Sequence, residues 1–286
     1  AIFPVFEEAA MGKIVLGSVQ SVLAVLLIRR GGYALFEKCM SLCIGVMFVV
    51  VVVTVILLYD AIVLVRALKL GSELARQSEP FSQLPKEPLA RLLIVGDSTA
   101  VGTGASQPAE SVAGRIGRAF PQVAIVNRGR DGAKTAAVSR QLGNPSDASF
   151  DAILIQVGGN DILRFTGVSR LREDLQALLR SAKAQAGLVV MMSTGDVGRA
   201  PAFPWPVDKY YSWKSKRVRQ MILSLVAAEG VEFIDLYNPR PDNPFYRDPK
   251  RFYAHDGLHP SGQGYGLWYD KLIAESSLSR VLADAP

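Results

Sequence analysis

Four short clusters stand far apart in the chain: Gly96-Asp97-Ser98-Thr99, Gly132, Gly158-Gly159-Asn160-Asp161 and Asp256-Gly257-Leu258-His259-Pro260. Between them they hold a hydroxyl nucleophile, donors for a developing oxyanion, and an imidazole base with a nearby carboxylate. Hydrolysis of an ester through an acyl-enzyme needs every one of these groups. Ser98 is the candidate nucleophile. The backbone N–H groups of Ser98 and Gly132 and the side-chain amide of Asn160 are the candidate oxyanion donors. The chain has only two histidines, His255 and His259. Asp256 precedes His259 by three residues, so its carboxylate can reach Nδ1 and fix the ring's tautomer, whereas His255 has no such arrangement. Each cluster also has a plainer reading that stays open residue by residue. The serine cluster reads as an Asx-turn or helix cap, Gly132 as a turn glycine, and Asn160 as a helix N-cap. Asp256 reads as a cap with His259 packed beneath it. A metal site is not expected: Gly257 and Pro260 oppose a continuous helix through both histidines, and no Cys or Glu cluster completes a ligand set. No cofactor is expected either.

These clusters need a scaffold, and the apolar runs supply one. Residues 91–95, 123–126, 152–157, 188–192 and 231–236 read as five short buried strands, and the first three run directly into the serine, Gly132 and Asn160 clusters. All three clusters then share the carboxyl edge of a sheet, where ligands bind in open α/β folds. Helical periodicity over 168–186, 207–229 and 261–282 alternates with the later strands and predicts a mostly parallel sheet covered on both faces, a three-layer α/β/α sandwich. Between the fourth strand and its helix, residues 200–206 are rich in Pro and aromatics and are followed by Tyr210, Tyr211 and Trp213. A wall of an acyl or sugar pocket and ordinary loop packing both fit that composition.

The order and types of the four clusters resemble the SGNH hydrolases, also called the GDSL esterase/lipase family, over roughly residues 90 to 275. The resemblance implies an SGNH, flavodoxin-like fold with Ser98 as nucleophile, Gly132 and Asn160 as oxyanion partners, and His259 with Asp256 as the base pair. Gly132 rather than Gly129 fits the family's interval from Asn127. Thr99 stands where the family has leucine.

The chain has 286 residues, 49% of them hydrophobic, and the apolar excess lies at the front. Residues 40–65 carry a long uncharged stretch interrupted by Asp60, enough for a membrane-spanning helix. A shorter apolar segment, 14–28, reads equally as a second span, an interfacial helix or half of a hairpin. The expected organisation is an anchor region over 1–70, a polar linker over 71–89 with Pro80, Pro85 and Pro88, and a catalytic domain over 90–286. Arg29, Arg30 and Lys38 before the valine run place the catalytic part outside the cytoplasm, on the periplasmic side of a bacterial inner membrane. No small-residue cleavage site follows the run, so an uncleaved anchor is expected. Cys39 and Cys43, one helical turn apart, are not expected to form a disulfide. The net charge of +6 includes Lys209, Lys214, Lys216, Arg217 and Arg219, which read as a solvated helix face rather than a nucleic-acid site. The expected partners are membrane lipid and a small-molecule, lipid or acylated-glycan ester. Acyl transfer, glycan deacetylation and non-catalytic binding of glycan or lipid remain alternatives to simple hydrolysis.

Overall fold

The computed structural model describes residues 3–144 and 149–283; the outermost residues of the expected anchor and catalytic regions, 1–2 and 284–286, lie outside the described residues. The chain divides into two compact units, Ala1–Tyr59 and Asp60–Pro286.

In the second unit, five strands form one wholly parallel sheet in the order β2-β1-β3-β4-β5. The strands are β1 (Ala90–Gly96), β2 (Val123–Asn127), β3 (Phe150–Gln156), β4 (Ala186–Met192) and β5 (Glu232–Ile234). Their apolar runs are continuous because both faces are covered, and successive side chains enter opposite cores. Leu93, Val95, Ile153 and Ile155 join one core with Leu171, Leu175 and Leu178 of helix Val168–Lys183 and Val218, Ile222 and Leu225 of helix Val207–Glu229. Leu92, Ile94, Ala152 and Leu154 join the other with Val112 and Ile116 of helix Val112–Ala119, Tyr265 and Leu272 of helix Gly262–Glu275, and Leu278. Fully burying each such side chain contributes about 1.5–3 kcal/mol. The three-layer expectation holds.

Three features differ from the sequence reading. The closing helix is broken: Ser276 ends helix Gly262–Glu275, the Ser277 N–H donates to Glu232 at 2.8 Å, and a new helix starts at Leu278. A half-buried carboxylate acceptor outside the helix therefore overrides the continuous pattern. The polar stretch 71–89 begins as helix through Gln77, and Gln83 then pairs its backbone with Ile125 at 2.8 and 3.0 Å. The Gln83 side-chain amide also donates to the carbonyls of Phe120 and Val123 at 3.0 and 2.9 Å. A single antiparallel bridge thus ties that stretch to the edge strand β2. Helix Val207–Glu229 buries Lys214, whose Nζ lies 4.9 Å from the Phe165 ring centroid. Lys214 therefore leaves the expected solvated face.

The first unit is helical as far as it is described. Helix covers Phe3–Gln77 with a break at Gly32 (φ 67°, ψ −175°), a backbone state that glycine adopts without a Cβ penalty. Two segments, Gly12–Arg30 and Gly32–Gln77, are long and apolar enough to cross a membrane by length and composition. The second has a window of mean hydropathy 3.1, and Leu42, Val46, Phe48 and Val55 are exposed along it. Cys39 and Cys43 are both free.

Candidate active site

The nucleophile cluster is shaped by close approach. Gly96 ends β1 at φ 154°, and a Cβ there would lie 1.9 Å from the Gln156 carbonyl, so only glycine fits. The Gln141 carboxamide grips this residue from the other side, accepting from the Gly96 N–H at 2.7 Å and donating to its carbonyl at 2.9 Å. Asp97 then caps the short helix Ser98–Val101, its Oδ1 accepting from the Thr99 N–H and hydroxyl at 2.9 and 2.8 Å. The cap reading and the nucleophile reading are compatible, because Ser98 opens that helix at the carboxyl end of β1. The strand order reverses at β1, which makes this edge the switch-point crevice.

His259 arrives from 161 residues further along and places Nε2 2.8 Å from Ser98 Oγ. Its Nδ1 lies 2.6 Å from Asp256 Oδ2, while Asp256 Oδ1 accepts the N–H groups of Leu258 and His259, each at 3.0 Å. One carboxylate thus fixes both the ring and the loop that carries it. Gly257, at φ 68°, makes the turn between them. The two loops meet closely because of Gly104, where a Cβ would lie 2.5 Å from the Pro260 carbonyl and 3.0 Å from His259 Cβ. The fully buried Tyr265 ties the closing helix to the same loop, donating to the Thr103 carbonyl at 2.8 Å. His255 is exposed and takes no part.

The loop after β2 is tied to the nucleophile. The Asn127 side chain donates to the Ala100 carbonyl at 2.8 Å, Thr103 donates to Asp131 at 2.6 Å, and the Arg130 N–H donates to the Gly96 carbonyl at 3.1 Å. Gly132 follows with φ 69°, so it is a turn glycine that also faces the cavity. Asn160 lies in the first turn of helix Gly159–Leu163, whose N-cap is Gly158, so the N-cap reading of Asn160 does not hold. Among the described residues, the Ser98 N–H, the Gly132 N–H and the Asn160 carboxamide donate to no protein acceptor. All three residues line one cavity of about 630 Å³. Arg164, invisible as a site residue in the sequence, lines it too, with Nη2 3.0 Å from where a Cβ on Gly132 would lie. Of the aromatic loop, Phe203 and Tyr211 reach the cavity, whereas Trp205 and Trp213 are exposed.

Two buried carboxylates are tuned in opposite directions. Burial opposes the charge on Asp256, but the bonds from His259 and from the Leu258 and His259 N–H groups outweigh it and hold its carboxyl below the usual range. At Asp97 burial wins over the Thr99 bonds and the charge of His259, and the pKa is pushed up to about 6 from 3.8. Between those values the folded chain binds more protons than the unfolded one, so stability falls as pH rises through that window and the deficit is complete above it. Asp97→Asn keeps the capping oxygen and removes the charge. It is expected to stabilise the protein by on the order of 2–3 kcal/mol near pH 8, a gain that vanishes below about pH 4. Thermal unfolding of both proteins across that pH range checks this.

The chain can now be set beside known proteins. Residues 94–267 match the GDSL-like Lipase/Acylhydrolase family. The GDSL-like esterase Rv1075c of Mycobacterium tuberculosis is 27% identical over 196 residues, 64% of this chain; the chain spans 60% of that relative's length. A lipolytic G-D-S-L family protein from Veillonella parvula shares the fold with a TM-score of 0.52 at 18% identity, over 64% of this chain and 96% of that one. TesA does so with a TM-score of 0.52 at 17% identity, over 67% and 99%. The family match takes in more than half of the chain, including the serine, glycine, asparagine and histidine clusters, and the chain therefore belongs to the GDSL-like lipase/acylhydrolase family.

Proposed function

We propose that this chain is a membrane-anchored serine esterase that hydrolyses carboxylic esters through an acyl-enzyme on Ser98. The observation that carries the reading is the contact of 2.8 Å between His259 Nε2 and Ser98 Oγ, backed by Asp256 at 2.6 Å from Nδ1. With its proton on Nδ1 held by Asp256, His259 offers Nε2 as acceptor for the Ser98 hydroxyl proton. Ser98 Oγ then bonds to the ester carbonyl carbon. The carbonyl oxygen takes up negative charge and rests on the Ser98 N–H, the Gly132 N–H and the Asn160 amide, donors that no protein acceptor occupies among the described residues. His259 gives that proton to the alcohol oxygen as its bond to the carbonyl carbon breaks; it then takes a proton from water, whose oxygen bonds to the acyl carbon, and passes that proton to Ser98 Oγ as the acyl–Ser98 bond breaks and the acid leaves. Asn160→Ala removes one donor and is expected to lower kcat by about 10²- to 10³-fold with little change in KM, read by steady-state kinetics.

The anchor is assigned to the apolar helices before Asp60, with the catalytic unit held outside the cytoplasm by the positive-inside bias of Arg29, Arg30 and Lys38. Assay of the full chain against acyl esters and acetylated sugars, with and without an acceptor alcohol, tests the reaction type. Free acid as the main product supports hydrolysis. An ester of the added alcohol as the main product would make the chain an acyltransferase, and tight binding with no turnover would make it a binding protein.

A further inference from the structure

We infer that residues 64–75 form one wall of an acyl-chain pocket and make a long-chain lipid ester the substrate of this site, an inference that rests on the esterase reading above. Helix Gly32–Gln77 has 46 residues, whereas a membrane span takes about 20. The surplus, residues 60–77, belongs to the catalytic unit. Leu64, Leu68, Gly71, Ser72 and Ala75 recur at the spacing of one helical face, and all of them line the cavity that also holds Ser98 and His259. Beside them Ala67 is buried in the same core as the sheet.

Gly71 brings this helix against the catalytic pair. A Cβ there would lie 3.3 Å from Asp256 Oδ2 and 3.8 Å from His259 Cε1, so any larger residue pushes either the helix or the carboxylate. Gly71 is inside a helix, and its value here is close approach. The wall that results is aliphatic apart from the Ser72 hydroxyl and carries no charge or amide. A sugar ring laid against this wall would meet only the Ser72 hydroxyl among its side chains, leaving most of the hydroxyls on that side without protein partners. An alkyl chain has no such requirement. Leu163, Phe165, Phe203, Tyr211 and Leu258 also line the cavity and add further apolar surface. The lining begins at Leu64, only a few residues after the uncharged run that ends at Tyr59, so the chain carries its acyl-pocket wall next in sequence to its bilayer-compatible segment. The occupant that matches both is the acyl chain of a bilayer lipid ester.

The test uses the full chain in detergent with p-nitrophenyl esters from acetyl to dodecanoyl, each kept below its micelle-forming concentration. In the parent protein kcat/KM is expected to rise roughly fourfold per methylene over the first several carbons. Leu68→Trp and Ala75→Trp, which place bulk on the proposed wall, are each expected to lower the ratio of dodecanoyl to acetyl kcat/KM at least about tenfold. Because both esters are measured on one preparation, the folded fraction cancels from the ratio. Turnover that is flat in chain length, or a ratio unchanged in both variants, overturns this inference while leaving the esterase reading intact. No turnover of any ester and no Ser98-dependent labelling by a fluorophosphonate would overturn the esterase reading and this inference with it.

Discussion

Ser98→Ala is expected to lower kcat/KM by about 10⁶-fold for any ester the chain accepts, and His259→Ala by a similar factor. The double variant should be no slower than either one. The reason is geometric: Oγ and Nε2 share one proton across 2.8 Å, so removing either group leaves the other with nothing to do. Residual hydrolysis above the water rate, about 10³- to 10⁴-fold, should survive from the oxyanion donors and substrate binding. Single-turnover measurements on the three variants check both the size of the loss and its failure to add. Losses that multiply would mean the two residues act independently.

Asp256→Asn carries the second large effect, a fall of about 10⁴-fold in kcat with the fold retained. Asn would keep an oxygen for the Leu258 and His259 N–H groups. It would also turn an amide N–H toward Nδ1 or force the proton to Nε2, where it blocks acceptance from Ser98. The same change affects stability. The Asp256 carboxyl is held below its ordinary range, so its ionised form stabilises the fold above the unfolded-state pKa, and that contribution is lost as pH falls through the lowered folded value. The variant should therefore be less stable than the parent at neutral pH and should match it in strong acid. Thermal unfolding from pH 7 downward, alongside the kinetics, reads out both consequences.

Much of this arrangement is written in short stretches. The strands β1 to β4 were legible because burial on both faces demands unbroken apolar runs, and Asp256-Gly257-Leu258-His259 was legible because its contacts are local. Other features were hidden because they depend on distant partners. Helix Val112–Ala119, short and carrying Gly114 and Gly117, has no long apolar periodicity to announce it. The two glycines are packing choices: a Cβ on Gly114 would strike the Pro108 carbonyl at 2.4 Å, and one on Gly117 the Phe81 ring at 2.5 Å. Gln141 grips Gly96 across 45 residues, and nothing near Gln141 announces it. The register of residues 60–77 was hidden in another way. Their apolar face continues the pattern of the run before them, and only the folded chain separates Leu64 and Gly71, which line the cavity, from side chains that face outward.

The most direct test of the assignment is to treat the full chain with a fluorophosphonate, digest it and locate the adduct by mass spectrometry. One adduct is expected, on the peptide containing Ser98 and absent from both Ser98→Ala and His259→Ala. Ester turnover accompanied by an adduct elsewhere, or by equal labelling of Ser98→Ala, would contradict Ser98 as the nucleophile.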